Sequence, residues 1–183
     1  GAPYEDSNTT AIINGSDLSS TNDSGTNTGA VYVFRRTSGV WALEAYLKPP
    51  ELNNNDNFGL YLAISGDTIA VSSPNEASTT TSIIHGSDLS SVNNSGTANG
   101  AVYIFKRTGT NWAMEAYIKS PVATSSDGFA SSIALDGDTL LVTVIPRQLS
   151  MAVTFLLLTA PETITARFTS TNEQVGFGLI KHI

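Results

Sequence analysis

Oxygen-bearing side chains that could bind a hard cation are most concentrated in residues 53–57. This segment holds one carboxylate, Asp56, among four asparagines. Carboxylate and amide oxygens are the ligands that Ca²⁺ prefers in proteins. The segment that lies 71 positions later, residues 123–127, keeps only the aspartate, Asp127. Because the other oxygens do not recur, the pair is better interpreted as a structural cap on the following strand, with Ca²⁺ as the alternative.

Two long polar segments, residues 4–28 and 75–99, supply the remaining candidates for Ca²⁺. The second segment contains Glu76 and Asp88. The acidic residues of the first segment are Glu5, Asp6, Asp17 and Asp23. Loops of this length without regular structure are usually functional or disordered. We assign no cofactor from these residues, and Ca²⁺ in the segments stays a weak alternative.

No set of residues predicts catalysis. The chain has no cysteine, which excludes thiol nucleophiles and zinc–cysteine sites. Its two histidines, His85 and His182, are far apart in the sequence, and a lone loop histidine is usually solvated. Glu5 and Glu76 have no second carboxylate in a position for glycosidase-type acid–base chemistry. We therefore predict that this chain is not an enzyme.

Two further pairs of residues recur at fixed positions. Glu44 and Glu115 each precede a tyrosine by two positions and a lysine by four, and we expect these groups to face solvent. Trp41 and Trp112 recur in the same way, which favours packing between repeats over a platform for stacking sugars.

The elements that must position these residues come in a repeat. Gly100-Ala-Val-Tyr-Ile-Phe105 copies Gly29-Ala-Val-Tyr-Val-Phe34, and the two words lie 71 positions apart. Other matches follow at the same offset without insertion. A fixed period of this size predicts a repeat architecture.

Each repeat is predicted to form four short antiparallel strands, which in the second repeat are residues 58–64, 68–71, 101–106 and 112–118. The third strand is apolar on both faces, which is typical of a strand buried on both sides. In the fourth strand, apolar residues alternate with more polar ones, which predicts a half-exposed outer strand with Trp112, Met114, Ala116 and Ile118 on one face. Such four-stranded units stack radially in a β-propeller. The fold class is therefore all-β, a β-propeller fragment.

The repeated words resemble those of a known family. Phe58-Gly59 followed by Ser72-Ser73-Pro74, and the opening Gly1-Ala2-Pro3, resemble the FG-GAP repeat of integrin-α-type β-propellers. The Gly-Ala-Val-Tyr and Trp-x-x-Glu-Ala-Tyr words resemble its bacterial secreted branch. Ala130 and Ser72-Ser73 depart from the family pattern, where glycine and Gly-Ala are expected.

The resemblance implies a place for Ca²⁺ just before the Gly-Ala-Pro strand. In this chain residues 65–68 and 136–139 fill that place, and both are too short to wrap an ion. Asp67 and Asp138 are therefore interpreted as turn residues.

The repeats divide the chain into four parts. Residues 1–57 form a partial first repeat, 58–128 a complete repeat, and 129–142 the start of a third. Residues 143–183 do not continue the repeat. When degenerate codons for residues 166–182 are read from two bases later, they permit an amino-acid sequence close to that of residues 30–46. This predicts a frame-shifted tail, with the shift between Val142 and Pro161.

The resemblance implies an extracellular or cell-surface module for binding or adhesion, with a protein or glycan as the ligand of the full-length parent. A net charge of -7 argues against nucleic acid as a partner. The longest apolar run, residues 151–158, is too short to span a bilayer. Open blade edges predict self-association. The alternatives are non-catalytic blades of a larger enzyme and a truncated, non-functional open reading frame.

Overall fold

A computed structural model of the chain describes residues 1–122 and 128–144, and these residues form strands and turns. The described part of the chain contains no helix that could cross a membrane. The predicted frame-shifted tail lies, except for its first two residues, outside the described residues. The prediction of an all-β fold is confirmed.

The first repeat forms a three-stranded antiparallel sheet. Its strands are β1 (Ile13–Asn14), β2 (Val31–Thr37) and β3 (Val40–Leu47), in the order β1-β3-β2. The strands β2 and β3 form a hairpin, while β1 comes from the long polar segment and pairs with β3. The sheet therefore contains the outer half of a blade and one extra strand.

The second repeat forms a five-stranded sheet in the order β4-β5-β7-β8-β6. Its strands are β4 (Leu62–Ser65), β5 (Thr68–Ser73), β6 (Ile84–His85), β7 (Ala101–Thr108) and β8 (Asn111–Ile118). The first predicted strand is shorter than expected, because Phe58 leaves the ladder and makes an isolated parallel bridge to Gly29. The four predicted strands are present, and β6 adds a fifth at the outer edge.

The third repeat is represented by one antiparallel hairpin, β9 (Phe129–Asp136) and β10 (Thr139–Val144). Its register is regular up to Thr143 and shifts between Thr143 and Val144. Within the described residues, β10 has no partner strand on its other edge.

The long polar segments, residues 4–28 and 75–99, are insertions that return to the sheet. Ile13 lies opposite Tyr46, and Ile84 lies opposite Tyr117. In each insertion, the glycine that follows the short strand donates its N–H to a carbonyl of the outer strand. In the second insertion this glycine is Gly86. Each insertion is thus held to the blade by a strand pair, and apolar packing adds to it in the case of Ile84.

A β-bulge changes the predicted faces of β8. The ladder with β7 pairs Ile104 with Ala116 and Phe105 with Met114, so Glu115 is the extra residue. A bulge breaks the alternation of side chains along a strand. Met114 therefore packs on the opposite side of the sheet from Ala116, and the single face predicted for Trp112–Ile118 is wrong. The same bulge occurs in β3, where Glu44 is the extra residue.

Two apolar clusters hold the sheets together. The first fills the space between the first and second sheets and contains Val33, Leu47, Phe58, Val71 and Phe105. The second lies between the second and third sheets and contains Val102, Ile104 and Phe129. Since β7 contributes to both clusters, the prediction that it is buried on both faces is confirmed.

Candidate functional site

A buried lysine closes the base of the first insertion. Lys48 follows β3 and is fully buried, with its ammonium 2.8 Å from the carboxylate of Glu5. It also donates to the carbonyls of Ser7 and Gly29, at 2.5 and 2.7 Å, and to the hydroxyl of Thr28 at 2.9 Å. Burial lowers the pKa of Lys48, and the bond to Glu5 opposes that shift. These four acceptors tie both ends of the insertion to the blade.

The second insertion is closed in the same way. Lys119 and Glu76 form an ion pair, and both side chains are almost fully buried. The second carboxylate oxygen of Glu76 accepts the N–H of Ser78 at 2.9 Å. Burial lowers the pKa of Lys119, and Glu76 opposes that shift. The expectation that the lysines near Glu44 and Glu115 face solvent is therefore wrong, because Glu5 and Glu76 bind them from across the insertions.

The asparagine-rich linker, residues 53–57, lies between the two insertions and bonds to both. On one side Asn54 accepts the N–H of Thr26 at 3.1 Å, and Asn55 accepts from the amide of Asn27 at 3.1 Å. On the other side the amides of Asn53 and Asn94 exchange two hydrogen bonds, at 3.0 and 3.1 Å. The amide oxygens of the linker are thus used in bonds between segments of the protein.

The backbone conformation of the linker is a second reason for its asparagines. Asn55 and Asn57 have φ angles of 68° and 55°, in the left-handed region. Asparagine tolerates this conformation better than most residues, because its short polar side chain can bond locally. The asparagines of the linker are therefore explained by its left-handed backbone conformation as well as by its hydrogen-bond partners.

Asp56 is the buried carboxylate of the linker. Its Oδ2 accepts the N–H of Asn53 at 3.1 Å, which closes the turn before it rather than capping the strand after it. Burial raises the pKa of Asp56 to about 6, the bond from Asn53 opposes the shift, and the charge of Glu76 adds to it. The buried side chain of Asp56 thus helps to stabilise the linker.

The linker and the second insertion together form a shallow cleft with a volume of about 330 Å³. The amide-bearing residues that line it are Asn53, Asn54, Asn55, Asn75 and Asn94. Asp56, Ala77, Gly96, Thr97 and Ala98 complete the lining. We call this feature the amide cleft, and its walls offer hydrogen-bond donors and acceptors that carry no charge.

The structure does not bring the calcium candidates together into a metal site. Among the described residues no group of three or more His, Asp or Glu side chains could hold a metal ion. Asp88 lies in the second insertion, where its Oδ1 accepts the N–H of Ser90 at 3.0 Å and closes a local turn. Hydrogen bonds from the side chain and the backbone of Ser90 lower the pKa of Asp88. Asp127 lies outside the described residues.

The two tryptophans occupy the same place in successive repeats. Trp112 is buried, and its indole N–H donates to Glu44 at 3.2 Å. Its backbone N–H donates to the side chain of Asn14 at 2.7 Å. Glu44 also pairs with Arg107 at 3.1 Å. The prediction that the tryptophans pack between repeats is confirmed for Trp112 and is wrong for Trp41, which is 65% exposed. The expectation that Glu44 faces solvent is also wrong.

The remaining candidates have structural places. Asp67 lies in the β4–β5 turn and pairs with Arg107, and Asp138 lies in the matching β9–β10 turn. His85 ends β6 with an exposed side chain, and His182 lies outside the described residues. The lysine–glutamate pairs at the bases of the insertions were not predicted from the sequence. Their signal was the joint recurrence of Glu5 with Lys48 and of Glu76 with Lys119 at one offset.

Comparison with known proteins supports the repeat assignment. Residues 41–105 match the family model of the FG-GAP repeat. No curated protein and no solved structure matches the chain. The matched region runs from β3 through the linker and the second insertion into β7, so it contains all the residues that line the amide cleft. Residues 41–105 therefore contain an FG-GAP repeat, and the antiparallel sheets of the described residues are consistent with β-propeller blades.

Proposed function

We propose that this protein is a non-catalytic binding module that takes an uncharged, hydroxyl-rich ligand, a glycan, in the amide cleft. The observation that carries the proposal is the set of five asparagines on the walls of one cleft. An amide presents donors and acceptors side by side, so it can bond to hydroxyl groups that do both. We further propose an extracellular or cell-surface location, as is common for modules of this repeat type.

The charge of the cleft favours a neutral ligand. Asp56 is the single charged residue of the lining, and its carboxylate is bonded to Asn53. The carboxylate of Glu76, next to the cleft, is paired with Lys119. Recognition would therefore depend on hydrogen bonds rather than on ion pairs.

The walls of the cleft are held in place from both sides. The pair between Asn53 and Asn94 joins the linker to the second insertion, and the bonds from Thr26 and Asn27 join it to the first. Below, the ion pair of Glu76 and Lys119 fixes the base of the insertion. A site that is ordered before binding loses less conformational entropy when the ligand arrives. Weak contacts in several repeats would add through avidity.

Removing a whole insertion would not test this proposal, because each insertion also carries the carboxylate that binds a buried lysine and a strand of the sheet. Point substitutions are cleaner. We would screen the full chain on a glycan array and then measure affinity for the best ligand by isothermal titration. In Asn94→Ala we expect a loss of affinity of up to about tenfold, since one or two hydrogen bonds are removed.

Asp23→Ala is the matched control, since Asp23 takes the position of Asn94 in the first insertion and does not line the cleft. This control should leave the affinity unchanged. The proposal fails if no glycan binds the full chain, or if Asn94→Ala and Asn53→Ala both bind as tightly as the original protein while keeping its circular dichroism spectrum.

A further inference from the structure

Asp56 has an unused oxygen in the amide cleft. It is the single carboxylate among the lining residues, and it is 3% exposed. Its Oδ2 accepts the N–H of Asn53 at 3.1 Å, whereas its Oδ1 accepts no hydrogen bond from the described residues. Oδ1 is not sealed from solvent, because the described side-chain atoms that are sealed without a partner belong to Asn99 and Tyr117. Oδ1 is therefore an acceptor that a molecule in the cleft can reach.

The amide oxygens on the walls of the cleft already accept bonds within the protein. Those of Asn53 and Asn94 accept from each other's side chain. Those of Asn54 and Asn55 accept from groups of the first insertion. The amide nitrogen of Asn54 donates to none of the described residues, so its two N–H groups are available. The cleft thus combines free donors on Asn54 with a free acceptor on Asp56.

A sugar hydroxyl needs both kinds of partner. It can accept from an amide N–H, but its own hydrogen has to be donated to an acceptor. A pyranose carries hydroxyls on neighbouring carbons, so one of them can accept from a wall amide while another donates to Oδ1 of Asp56. Hydrogen bonds to a charged acceptor are about twice as strong as those to a neutral one. The charge state of Asp56 therefore affects how tightly a hydroxyl is held.

Four titratable groups on the elements packed around Asp56 interact with it electrostatically. They are Glu76 in the second insertion, Lys119 after β8, Tyr103 on β7 and Tyr117 on β8. Glu76 and Lys119 are joined in an ion pair. Burial raises the pKa of both tyrosines, so they stay neutral near neutral pH. Burial also raises the pKa of Asp56 to about 6, so Asp56 gains its charge between about pH 5 and about pH 7.

We propose that Asp56 sets the specificity of the amide cleft by accepting a ligand hydroxyl at Oδ1, an inference that rests on the proposed glycan-binding function. The ionised carboxylate binds roughly tenfold more tightly than the neutral form, because its hydrogen bond is the stronger one. Affinity therefore rises with pH as Asp56 ionises and then levels off. By linkage, a bound hydroxyl lowers the pKa of Asp56 by about one unit, which corresponds to the same tenfold factor.

Three uncharged probes test this proposal, the methyl α-glycosides of glucose, mannose and galactose. We would titrate them into the full chain and follow the asparagine side-chain amides by NMR. We expect at least one glycoside to bind about tenfold more tightly at about pH 7 than at about pH 5. The fully O-methylated form of that glycoside should lose at least the same factor, because it has no hydroxyl hydrogen to donate.

Asp56→Asn replaces the free acceptor with an amide of the same shape. We expect this variant to bind the glycoside about tenfold more weakly at about pH 7 and to lose the difference between the two pH values. Asp88→Asn is the matched control, since Asp88 is an exposed carboxylate of the second insertion and does not line the cleft. This control should bind as the original protein does. Both variants keep His85, so a pH dependence that survives in Asp56→Asn belongs to another group.

The pKa of Asp56 in the original protein gives a second measurement, which decides the question even if Asp56→Asn does not fold. The NMR shift of its carboxyl carbon would be followed against pH, and saturating glycoside should lower the midpoint by about one pH unit. The proposal is overturned if this midpoint does not move, if Asp56→Asn keeps the original affinity and pH dependence, or if none of the three glycosides binds. A glycan from the array that binds the original protein and Asp56→Asn equally at both pH values overturns this proposal alone and leaves the binding function standing.

Discussion

Replacing Lys48 by methionine removes the cation that holds the base of the first insertion. The ammonium donates to Glu5, Ser7, Thr28 and Gly29, and the side chain is fully buried. Methionine keeps most of the apolar length of the side chain and supplies no donor. The substitution therefore leaves the carboxylate of Glu5 next to buried carbonyl oxygens without its partner.

Removing one member of a buried ion pair costs about 3–5 kcal/mol. Glu5 keeps 17% of its side-chain surface exposed and can recover some hydration, so we expect a value near the lower limit, about 3 kcal/mol. This is a large share of the roughly 5–15 kcal/mol that stabilises a typical domain. Urea unfolding followed by circular dichroism would measure the loss.

Arg35→Met provides the matched control. Arg35 pairs with Glu44 at 3.0 Å, but its side chain is 50% exposed, and Glu44 keeps its bond to Arg107. Exposed pairs contribute about 0–1 kcal/mol, so this variant should be nearly as stable as the original protein. Combining Lys48→Met with Glu5→Gln should recover part of the loss, because the uncompensated charge is then gone. A loss below about 1 kcal/mol for Lys48→Met would refute the reasoning, since such a value is typical of an exposed pair.

Five further substitutions test three separate parts of the structure. Because burial raises the pKa of Asp56 from 3.8 to about 6, the folded state binds the extra proton between these values. Stability should therefore fall by up to about 3 kcal/mol as the pH rises from 4 to 6. Asp56→Asn should remove that slope in urea unfolding series, and an unchanged slope would assign it to other groups. Ala130 has a φ angle of 66°, where its matched residue in the second repeat is Gly59 with φ 89°. Ala130→Gly should raise the free energy of unfolding by about 1 kcal/mol. Gly59→Ala should lower it, because the added Cβ would lie 2.7 Å from the carbonyl oxygen of Ala30. Equal effects of the two would contradict this account. Asn99 has a buried amide oxygen with no hydrogen-bond partner in the described residues, whereas its copy Thr28 is bonded to Lys48 and Ser7. Asn99→Thr should stabilise the protein by about 1 kcal/mol and Thr28→Asn should destabilise it in thermal unfolding; a loss from Asn99→Thr would count against the equivalence of the two sites.

Much of the blade could be predicted from the sequence, because its strands carry local signals. The apolar residues of β7 on both faces predict a strand between two packed layers, and the structure places it between two apolar clusters. The 71-residue offset identifies equivalent residues without any structural information. The burial of Trp112 between repeats followed from its recurrence.

The parts that were missed depend on contacts between distant residues. The alternation of apolar residues in β8 gave the wrong face for Met114, because the bulge at Glu115 depends on how β8 pairs with β7. In the same way, Lys119 follows a strand that looks half-exposed, and its burial depends on Glu76, which lies 43 residues earlier. The amide cleft depends on Asn53 and Asn94, which are 41 residues apart. Such pairs have no local pattern.

The central claim is that successive repeats stack face to face as propeller blades, and the two tryptophans test it in one measurement. Trp41→Phe leaves Trp112, which is 3% exposed between two repeats, and Trp112→Phe leaves Trp41, which is 65% exposed at the same position of the first repeat. Acrylamide quenching of fluorescence should be performed on both variants at low protein concentration. The account predicts blue-shifted emission and weak quenching for Trp112, with red-shifted emission and strong quenching for Trp41. Equal quenching of the two tryptophans would show that the second repeat does not pack on the first, and would contradict the account.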